Sequence, residues 1–384
     1  MSAVLTLAAW GLAGASLAGM GYQTVAVRHL RRFLGGPRPR PSARPAVSLL
    51  KPLCGNEPHL AGNLRSFRDQ DYPAVQIVYG VADADDPALS AIARDGDASS
   101  DDRETIVVDP TGHGCNLKVG NLLNMLPRAH GEVLVIADSD VRVEPRYLDD
   151  VVAPLADPSV GLVTCLYVGR PNDGLWSRIG AMGINHGFLP SALVARAVGR
   201  HDGCFGATMA LRRETLDSVG GLAPLQDILA DDWALGAAVR RGGLRITLAA
   251  RPVDIIVHEP DFGSLFAHEI RWGRTIAAVD RTSYMASVIT QPVALAALAV
   301  LLGAMAWPFA GVLLAACAVR LWAIRAEERA LVLPRAGLPA VALRELLSFV
   351  VFIVACCGRT VIWRGRRFTI RRDGTLESKE GIPT

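Results

Sequence analysis

The chain has 384 residues, 51% of them hydrophobic, with a mean hydropathy of +0.28, high for a soluble protein. That length allows one large domain plus membrane elements, and a formal net charge of +3 makes no case for nucleic acid. The seven cysteines (Cys54, Cys115, Cys165, Cys204, Cys317, Cys356 and Cys357) form no C-x-x-C pair, so they read as neither a zinc site nor a disulfide framework, and a reducing compartment fits best.

Residues 3–27 are an almost uncharged apolar run, long enough to span a bilayer. A cleaved signal peptide is the competing reading, and Ala13-Gly-Ala15 offers small residues for cleavage. The charges argue against it. No Lys or Arg precedes the run, whereas Arg28, Arg31, Arg32, Arg38, Arg40 and Arg44 follow it. The positive-inside bias then predicts an anchor at 1–28 that starts outside and delivers the next domain to the cytoplasm. Residues 29–45 read as a basic, Pro-rich linker along an anionic membrane face.

From 46 to 261, short apolar runs alternate with helical patterns, which predicts an α/β domain with a mostly parallel sheet. Strands are expected at 46–51, 75–81, 104–108, 132–137, 160–166 and 205–210. Helices are expected at 57–69, 87–94, 116–128, 145–155, 174–198 and 226–241. The near-continuous Val/Ile/Leu runs at 75–81 and 132–137 suit strands buried on both faces. Residues 262–284 read as an amphipathic interfacial helix. The C-terminal membrane region, 285–384, holds a predicted hairpin, 286–323. Its two runs, 286–304 and 308–323, are split by Trp307-Pro308. A further run at 340–357 makes four expected spans. Alternation puts the tail outside, but Arg359, Arg364, Arg366, Arg367, Arg371 and Arg372 argue for inside.

Ligands of parallel sheets bind beyond the carboxyl ends of the strands, and carboxylates cluster there. Asp138 and Asp140 close the buried run Val135-Ile-Ala-Asp-Ser-Asp140. Two acids two residues apart at a strand end suit Mg²⁺ or Mn²⁺ on a diphosphate; an Asp-rich turn is the bland alternative. Asp83, in Gly80-Val-Ala-Asp-Ala-Asp-Asp-Pro87, is placed to accept from a uracil imide or ribose. Asp86-Pro87 beside it can equally start a helix. Asp231 and Asp232, in Leu229-Ala-Asp-Asp-Trp233, either cap a helix or supply Asp232 as general base on an acceptor hydroxyl. One base opposite the leaving group implies single displacement with inversion.

Arg271 and Trp272, in His268-Glu-Ile-Arg-Trp272, have two readings. Arg271 either snorkels to lipid headgroups or binds the donor diphosphate, with Trp272 then lining the acceptor site. Lys118 opens a helix facing the strand ends and reads as a nucleotide or phosphate contact, against a solvated helix start. His258, in Val257-His-Glu-Pro260, is a candidate third metal ligand beside a structural reading. For His186 and Cys204, packing is the safer reading than a lipid pocket.

These motifs resemble the membrane glycosyltransferases of the GT-A fold. The resemblance is greatest to the ceramide glucosyltransferase family and its bacterial hopanoid-biosynthesis relatives, and it covers nearly the whole chain. It is carried by Val47-Ser-Leu-Leu-Lys-Pro-Leu53, Asp69-Gln-Asp-Tyr-Pro73, Asp83-Ala-Asp-Asp-Pro87 and Asp138-Ser-Asp140. Gly206-Ala-Thr-Met-Ala-Leu-Arg-Arg213, Gly220-Gly221, Asp231-Asp232 and Trp363-Arg-Gly-Arg-Arg-Phe368 extend it. One position departs: His268 stands where the family's tail motif has Gln or Arg. Thr164-Cys-Leu-Tyr-Val-Gly-Arg-Pro171 and His268-Glu-Ile-Arg-Trp272 look more hopanoid-type than ceramide-type.

The resemblance implies an integral protein of a bacterial inner membrane with a cytoplasmic catalytic domain. The implied reaction moves N-acetylglucosamine from its UDP donor to a bacteriohopane-type lipid, with ceramide and UDP-glucose as the alternative pair. A processive polymer synthase would need more spans than this chain offers. A non-enzymatic transporter or anchor would leave Asp138, Asp140 and Asp232 without a task.

Overall fold

Successive residues of the strand Val133–Ala137 enter two different cores. Val133, Val135 and Ala137 pack with Leu49, Ile77 and Tyr79, while Leu134 and Ile136 pack with Leu50 and Val78. Side chains alternate along a strand, so an unbroken apolar run means that both faces of the sheet are covered.

The computed structural model describes residues 3–93, 103–200, 203–303, 305–363, 366–371 and 375–378. Its helices are α1 (Ala3–Leu34), α2 (Leu60–Arg68), α3 (Ala88–Ala93), α4 (Leu117–Met125), α5 (Tyr147–Val152), α6 (Leu175–Gly183), α7 (Leu189–Ala197), α8 (Arg213–Ser218), α9 (Asp231–Arg241), α10 (Phe262–Val279), α11 (Arg281–Ala286), α12 (Pro292–Leu302), α13 (Trp307–Ala330) and α14 (Leu338–Cys356). The strands are β1 (Val47–Pro52), β2 (Val75–Val81), β3 (Glu104–Val108), β4 (Val133–Ala137), β5 (Val141–Arg142), β6 (Val160–Thr164), β7 (Tyr167–Pro171), β8 (Thr208–Arg212), β9 (Arg245–Leu248), β10 (Val253–Val257), β11 (Thr360–Trp363), β12 (Arg366–Ile370) and β13 (Leu376–Ser378). Arg364 and Arg372 of the basic tail lie outside the described residues.

The chain forms two units. The sheet unit comprises Gly36–Asn172 and Gly199–His258. Its seven-stranded sheet runs β3-β2-β1-β4-β8-β6-β9. All pairings in it are parallel except those of β8, which is antiparallel to β4 and β6. This is the mostly parallel α/β architecture expected. A small second sheet, β5-β10-β7, was not anticipated. Its strands are two to five residues long and only partly buried, so they lack the periodic signal of the main sheet. Strand β8 starts at Thr208 rather than 205, and α9 starts at Asp231 rather than 226.

Two arginines of the linker have partners within the sheet unit. Arg38 pairs with Asp150 and Glu144, and Arg44 pairs with Asp149. Asp149 and Asp150 are almost fully buried on α5, so these arginines neutralise protein carboxylates that would otherwise be unpaired.

The helical unit comprises Met1–Gly35, Asp173–Val198 and Glu259–Thr384. Residues 173–198 therefore leave the contiguous block 46–261 expected for the catalytic domain. Their helix is interrupted by a π-helical stretch, Ile184–Phe188. Pro190 brings no N–H to the His186 carbonyl, and Arg320 donates to that carbonyl at 3.1 Å. The His186 ring is buried against Glu327, 2.9 Å away.

Helices α1, α13 and α14 are long and apolar enough to cross a membrane. The predicted first arm of the hairpin, 286–304, is not one straight helix. It bends by 75° between 281–290 and 292–302, so among the described residues there are three candidate spans, or four if the bent pair counts as one. Pro292 is the cause, since proline lacks an N–H and drives the preceding residue out of the α region. Gln291 sits there at φ −114°, ψ 60°. The helix break frees carbonyls, which α1 satisfies: Ser16 donates to Pro292 O at 2.8 Å and Gln23 to Thr290 O at 3.0 Å. Gly19 lies between them, where a Cβ would come within 2.5 Å of Ile289 O.

Candidate active site

The Asp138-Ser-Asp140 turn follows β4, and each of its carbonyls is held from a different element. Lys51 Nζ, at the end of β1, donates to Asp138 O at 2.5 Å. Asn63 of α2 donates to Ser139 O at 3.2 Å, and the Ile256 amide of β10 donates to Asp140 O at 2.9 Å. The turn's geometry is thus set through its backbone carbonyls by the sheet and α2. Lys51 is fully buried and lies over the Phe67 ring, 3.9 Å from its centroid. Burial pushes its ammonium down to about 7, against the pull of Asp138 and Asp140.

Lys118 joins the two acid pairs. Asn116 caps α4 by accepting from the Lys118 and Val119 amides, which fixes where the Lys118 side chain starts. Its Nζ lies 2.6 Å from Asp138 Oδ1, 3.9 Å from Asp231 Oδ2 and 3.3 Å from Gly206 O. Burial works to lower this ammonium, but Asp138, Asp231 and Asp232 outweigh it and raise it. Asp231 also accepts from Asn116, at 3.4 Å.

Asp232 accepts from the Trp233 amide at 2.7 Å, and a Cβ on Gly206 would come within 3.1 Å of its Oδ2. Glycine is therefore needed at 206 for this close approach. The Thr164 hydroxyl holds the residue before it, donating to Phe205 O and accepting from Phe205 N, each at 2.8 Å. Burial and the neighbouring Asp231 push the Asp232 carboxyl up to about 6. An acid poised there is mostly ionised at neutral pH yet remains basic enough to accept a proton, as a general base requires.

Asp140 is pushed up to about 7 by burial, then by Asp138 and Glu57. Its Oδ1 is buried with no hydrogen-bond partner among the described residues. A carboxylate oxygen in that state is short of a cation, so the donor set fits a divalent ion. No group of three His, Cys, Asp or Glu side chains among the described residues is arranged to hold a metal. The remaining ligands would then have to come largely from bound substrate and water.

The structure thus brings together Asp138, Asp140, Lys118, Asp231 and Asp232. Asp83 lies exposed beyond β2 and accepts from the Asp85 amide at 2.9 Å. The adjacent Asp86 accepts from the Ala88 amide at the start of α3 and from the Gly55 amide. His258 follows β10. Its Nδ1 accepts from Asn172 at 3.0 Å, and Asn172 Oδ1 faces His59 Nε2 at 3.0 Å. Arg271 and Trp272 lie on α10 of the helical unit. There His268 meets the Trp272 ring edge-on at 4.4 Å, and its Nδ1 lies 2.7 Å from Glu259.

Sequence reasoning missed Lys51, Asn63, Asn116 and Tyr167. The Tyr167 phenol is raised by burial and then by the charges of Asp232, Asp140 and Asp138. A signal existed for Lys51, because a charge inside the apolar run Val47-Ser-Leu-Leu-Lys-Pro52 must find a partner when the strand is buried. Cys204 is packed against Met209 and Gly236, as the bland reading had it.

Among known proteins, ceramide glucosyltransferase 1 of Caenorhabditis elegans is 22% identical over 211 residues, 54% of this chain and 45% of the relative. Ceramide glucosyltransferase 3 of the same organism is 21% identical over 220 residues, 55% of this chain and 46% of the relative. Each match spans under half the relative's length. Among solved structures, a mannosyltransferase from Pyrobaculum calidifontis, in complex with GDP-Man and Mn2+, superposes with a TM-score of 0.51. It is 24% identical, over 92% of this chain and 97% of that one, a likeness that shows the GT-A type fold. The sequence model of glycosyl transferase family 21 matches residues 11–376, and the chain belongs to that family.

Proposed function

We propose that this protein is a membrane glycosyltransferase that moves a sugar from a UDP-sugar to a lipid hydroxyl by a single inverting displacement. The observation that carries this reading is the Lys118 ammonium lying between Asp138 and Asp231, next to an Asp232 whose carboxyl is raised by burial and by Asp231. In this reading Asp232 takes the proton of the acceptor hydroxyl as it attacks, and Lys118 leaves Asp138 for donor phosphate oxygens. Asp138 and Asp140 would hold Mg²⁺ or Mn²⁺, with donor phosphate and water completing the set; His258, proposed from the sequence as a third ligand, is not grouped with them among the described residues. When bound, that ion supplies charge neutralisation on the diphosphate leaving group. Asp83 is assigned to the uracil or ribose. Arg271 is assigned to donor phosphate and Trp272 to the acceptor, both on the strength of their motif.

For the substrates we favour N-acetylglucosamine from UDP-N-acetylglucosamine and a bacteriohopane-type alcohol, supported by Thr164–Pro171 and His268–Trp272. The second reading is UDP-glucose and ceramide, favoured by the names of the two nematode relatives. We place the protein in a bacterial inner membrane with the sheet unit cytoplasmic, on the arginines that follow residues 3–27. The test uses membranes from a host lacking hopanoids and ceramides, labelled donor, and either bacteriohopanetetrol or ceramide. Label from UDP-N-acetylglucosamine in the hopanoid, absent in Asp232→Asn, supports the favoured pair. Label from UDP-glucose in ceramide alone selects the second. No lipid label from either donor overturns the reading.

A further inference from the structure

Helix α10 carries the Arg271–Trp272 motif on one face, and its opposite face packs on α14. At about 100° per residue, His268, Arg271, Trp272 and Thr275 share an arc of about 100°. Glu269, Ile270, Gly273 and Arg274 occupy the opposite side, and each is tied down within the helical unit. Ile270 is buried in a cluster with Leu347 and Val351 of α14. A Cβ on Gly273 would come within 2.8 Å of the Tyr284 hydroxyl and 2.9 Å of Ala355 Cβ, so α10 approaches α14 closely there. Arg274 donates to the carbonyls of Val354 and Thr360.

Glu269 makes a two-pronged ion pair with Arg344 of α14, Nη1 to Oε1 at 2.5 Å and Nη2 to Oε2 at 2.8 Å. Arg344 is itself fixed. It is 4% exposed, its Nη1 also donates to Ile179 O at 3.2 Å, and its Nε donates to Ser348 at 3.0 Å. A planar fork on a carboxylate constrains direction as well as distance. Apolar contacts alone would dock α10 yet let it roll or slide. A buried ion pair adds little net stability over an apolar pair of similar shape, so its contribution here is geometric.

We infer that Glu269 and Arg344 are positioning residues that set the rotation of α10 and so aim Arg271 and Trp272. This inference rests on the reading that those two residues touch donor and acceptor. Neither Glu269 nor Arg344 need contact substrate. The pair acts on turnover through its neighbours two and three residues along the helix.

The test uses the full-length protein in lipid nanodiscs, with the donor–acceptor pair that gives product in the wild type. Glu269→Gln keeps shape and loses charge, and Arg344→Lys keeps charge and loses the fork. Both are expected to lower kcat by about tenfold, with donor KM within about threefold; Glu269→Gln also lowers the melting midpoint, because it leaves the buried Arg344 charge unpaired, so rates are compared below that midpoint on folded protein. A double-mutant cycle with Arg271→Ala separates positioning from general stability. If Glu269 works through Arg271, then Glu269→Gln has no further effect once Arg271 is alanine. Folded Glu269→Gln and Arg344→Lys enzymes with kcat within twofold of wild type, beside an impaired Arg271→Ala, would overturn the positioning role alone. Full activity of both Arg271→Ala and Trp272→Ala would overturn the reading of that face and the inference with it. Glu269→Gln losses that stay the same in both the Arg271→Ala and the Trp272→Ala backgrounds would also overturn it, because the effect would then be structural.

Discussion

The Nζ of Lys118 lies 2.6 Å from Asp138 Oδ1, so an ammonium from the start of α4 neutralises the first acid of the turn after β4. The same nitrogen reaches Asp231, which leaves Asp138, Asp231 and Asp232 to repel one another if it is removed. Lys118→Met is expected to lower kcat/KM by about 100-fold, mainly through donor KM. Initial rates over a range of donor concentrations, with UDP binding by calorimetry, check this. An unchanged donor KM would count against Lys118 as a phosphate contact.

Asp232→Asn removes the base and keeps the shape. Turnover is expected to fall by about 10²–10⁴-fold while donor affinity survives. Gly206→Ala approaches the same carboxylate from outside, because the new Cβ would meet Oδ2, Cβ and Cγ of Asp232 at 3.1–3.3 Å. Displacing the base by a few tenths of an ångström should cost about tenfold in kcat with little change in donor binding. Single-turnover rates on both variants test the pair.

The pH dependence follows from Asp232, raised to about 6 by burial and by Asp231. A general base works only when ionised, so kcat/KM should fall about tenfold per pH unit below 6 and level off above it. The Lys118 charge lowers this carboxyl, so in Lys118→Met the acid limb should move to higher pH. A limb that stays put would mean that another group controls it.

Asp140 holds a buried oxygen without a partner among the described residues. Chelation should abolish transfer, and Asp140→Asn should weaken Mn²⁺-dependent UDP binding by about 10–100-fold. A titration of Mn²⁺ against UDP binding reads this directly, and metal-independent binding would remove the cation from the scheme.

Lys51→Met removes the shorter of the two hydrogen bonds to the Asp138 carbonyl inside the protein and leaves only the Val141 amide at 3.3 Å. A loss of stability of about 1–3 kcal/mol is expected, with weaker Mn²⁺ binding because the turn is no longer held. Chemical denaturation and the same Mn²⁺ titration measure the two effects separately.

The acids were readable in the sequence because carboxylates directly after a buried Val/Ile/Leu run have few other places to go. Asp138, Asp140 and the β1, β2, β3, β4 and β6 strands are of this kind. Strands β5, β7, β9 and β10 were not readable, since two to five half-buried residues carry no periodicity. Pro292 was visible within the run 286–304, but composition outweighed it. The structure shows that a single proline suffices to break that run, because α1 supplies Ser16 and Gln23 to the freed carbonyls.

By itself the sequence determined the class of the sheet, the three long apolar helices and which acids end the strands. These follow from local patterns of hydrophobicity and charge. Only the tertiary structure decided that Lys118 links the two acid pairs, that Lys51 holds Asp138 from behind, and that Arg344 grips Glu269. Such contacts join residues as far apart as 51 and 138, or 269 and 344. Long-range pairing depends on the register and packing of whole elements, which no local pattern encodes.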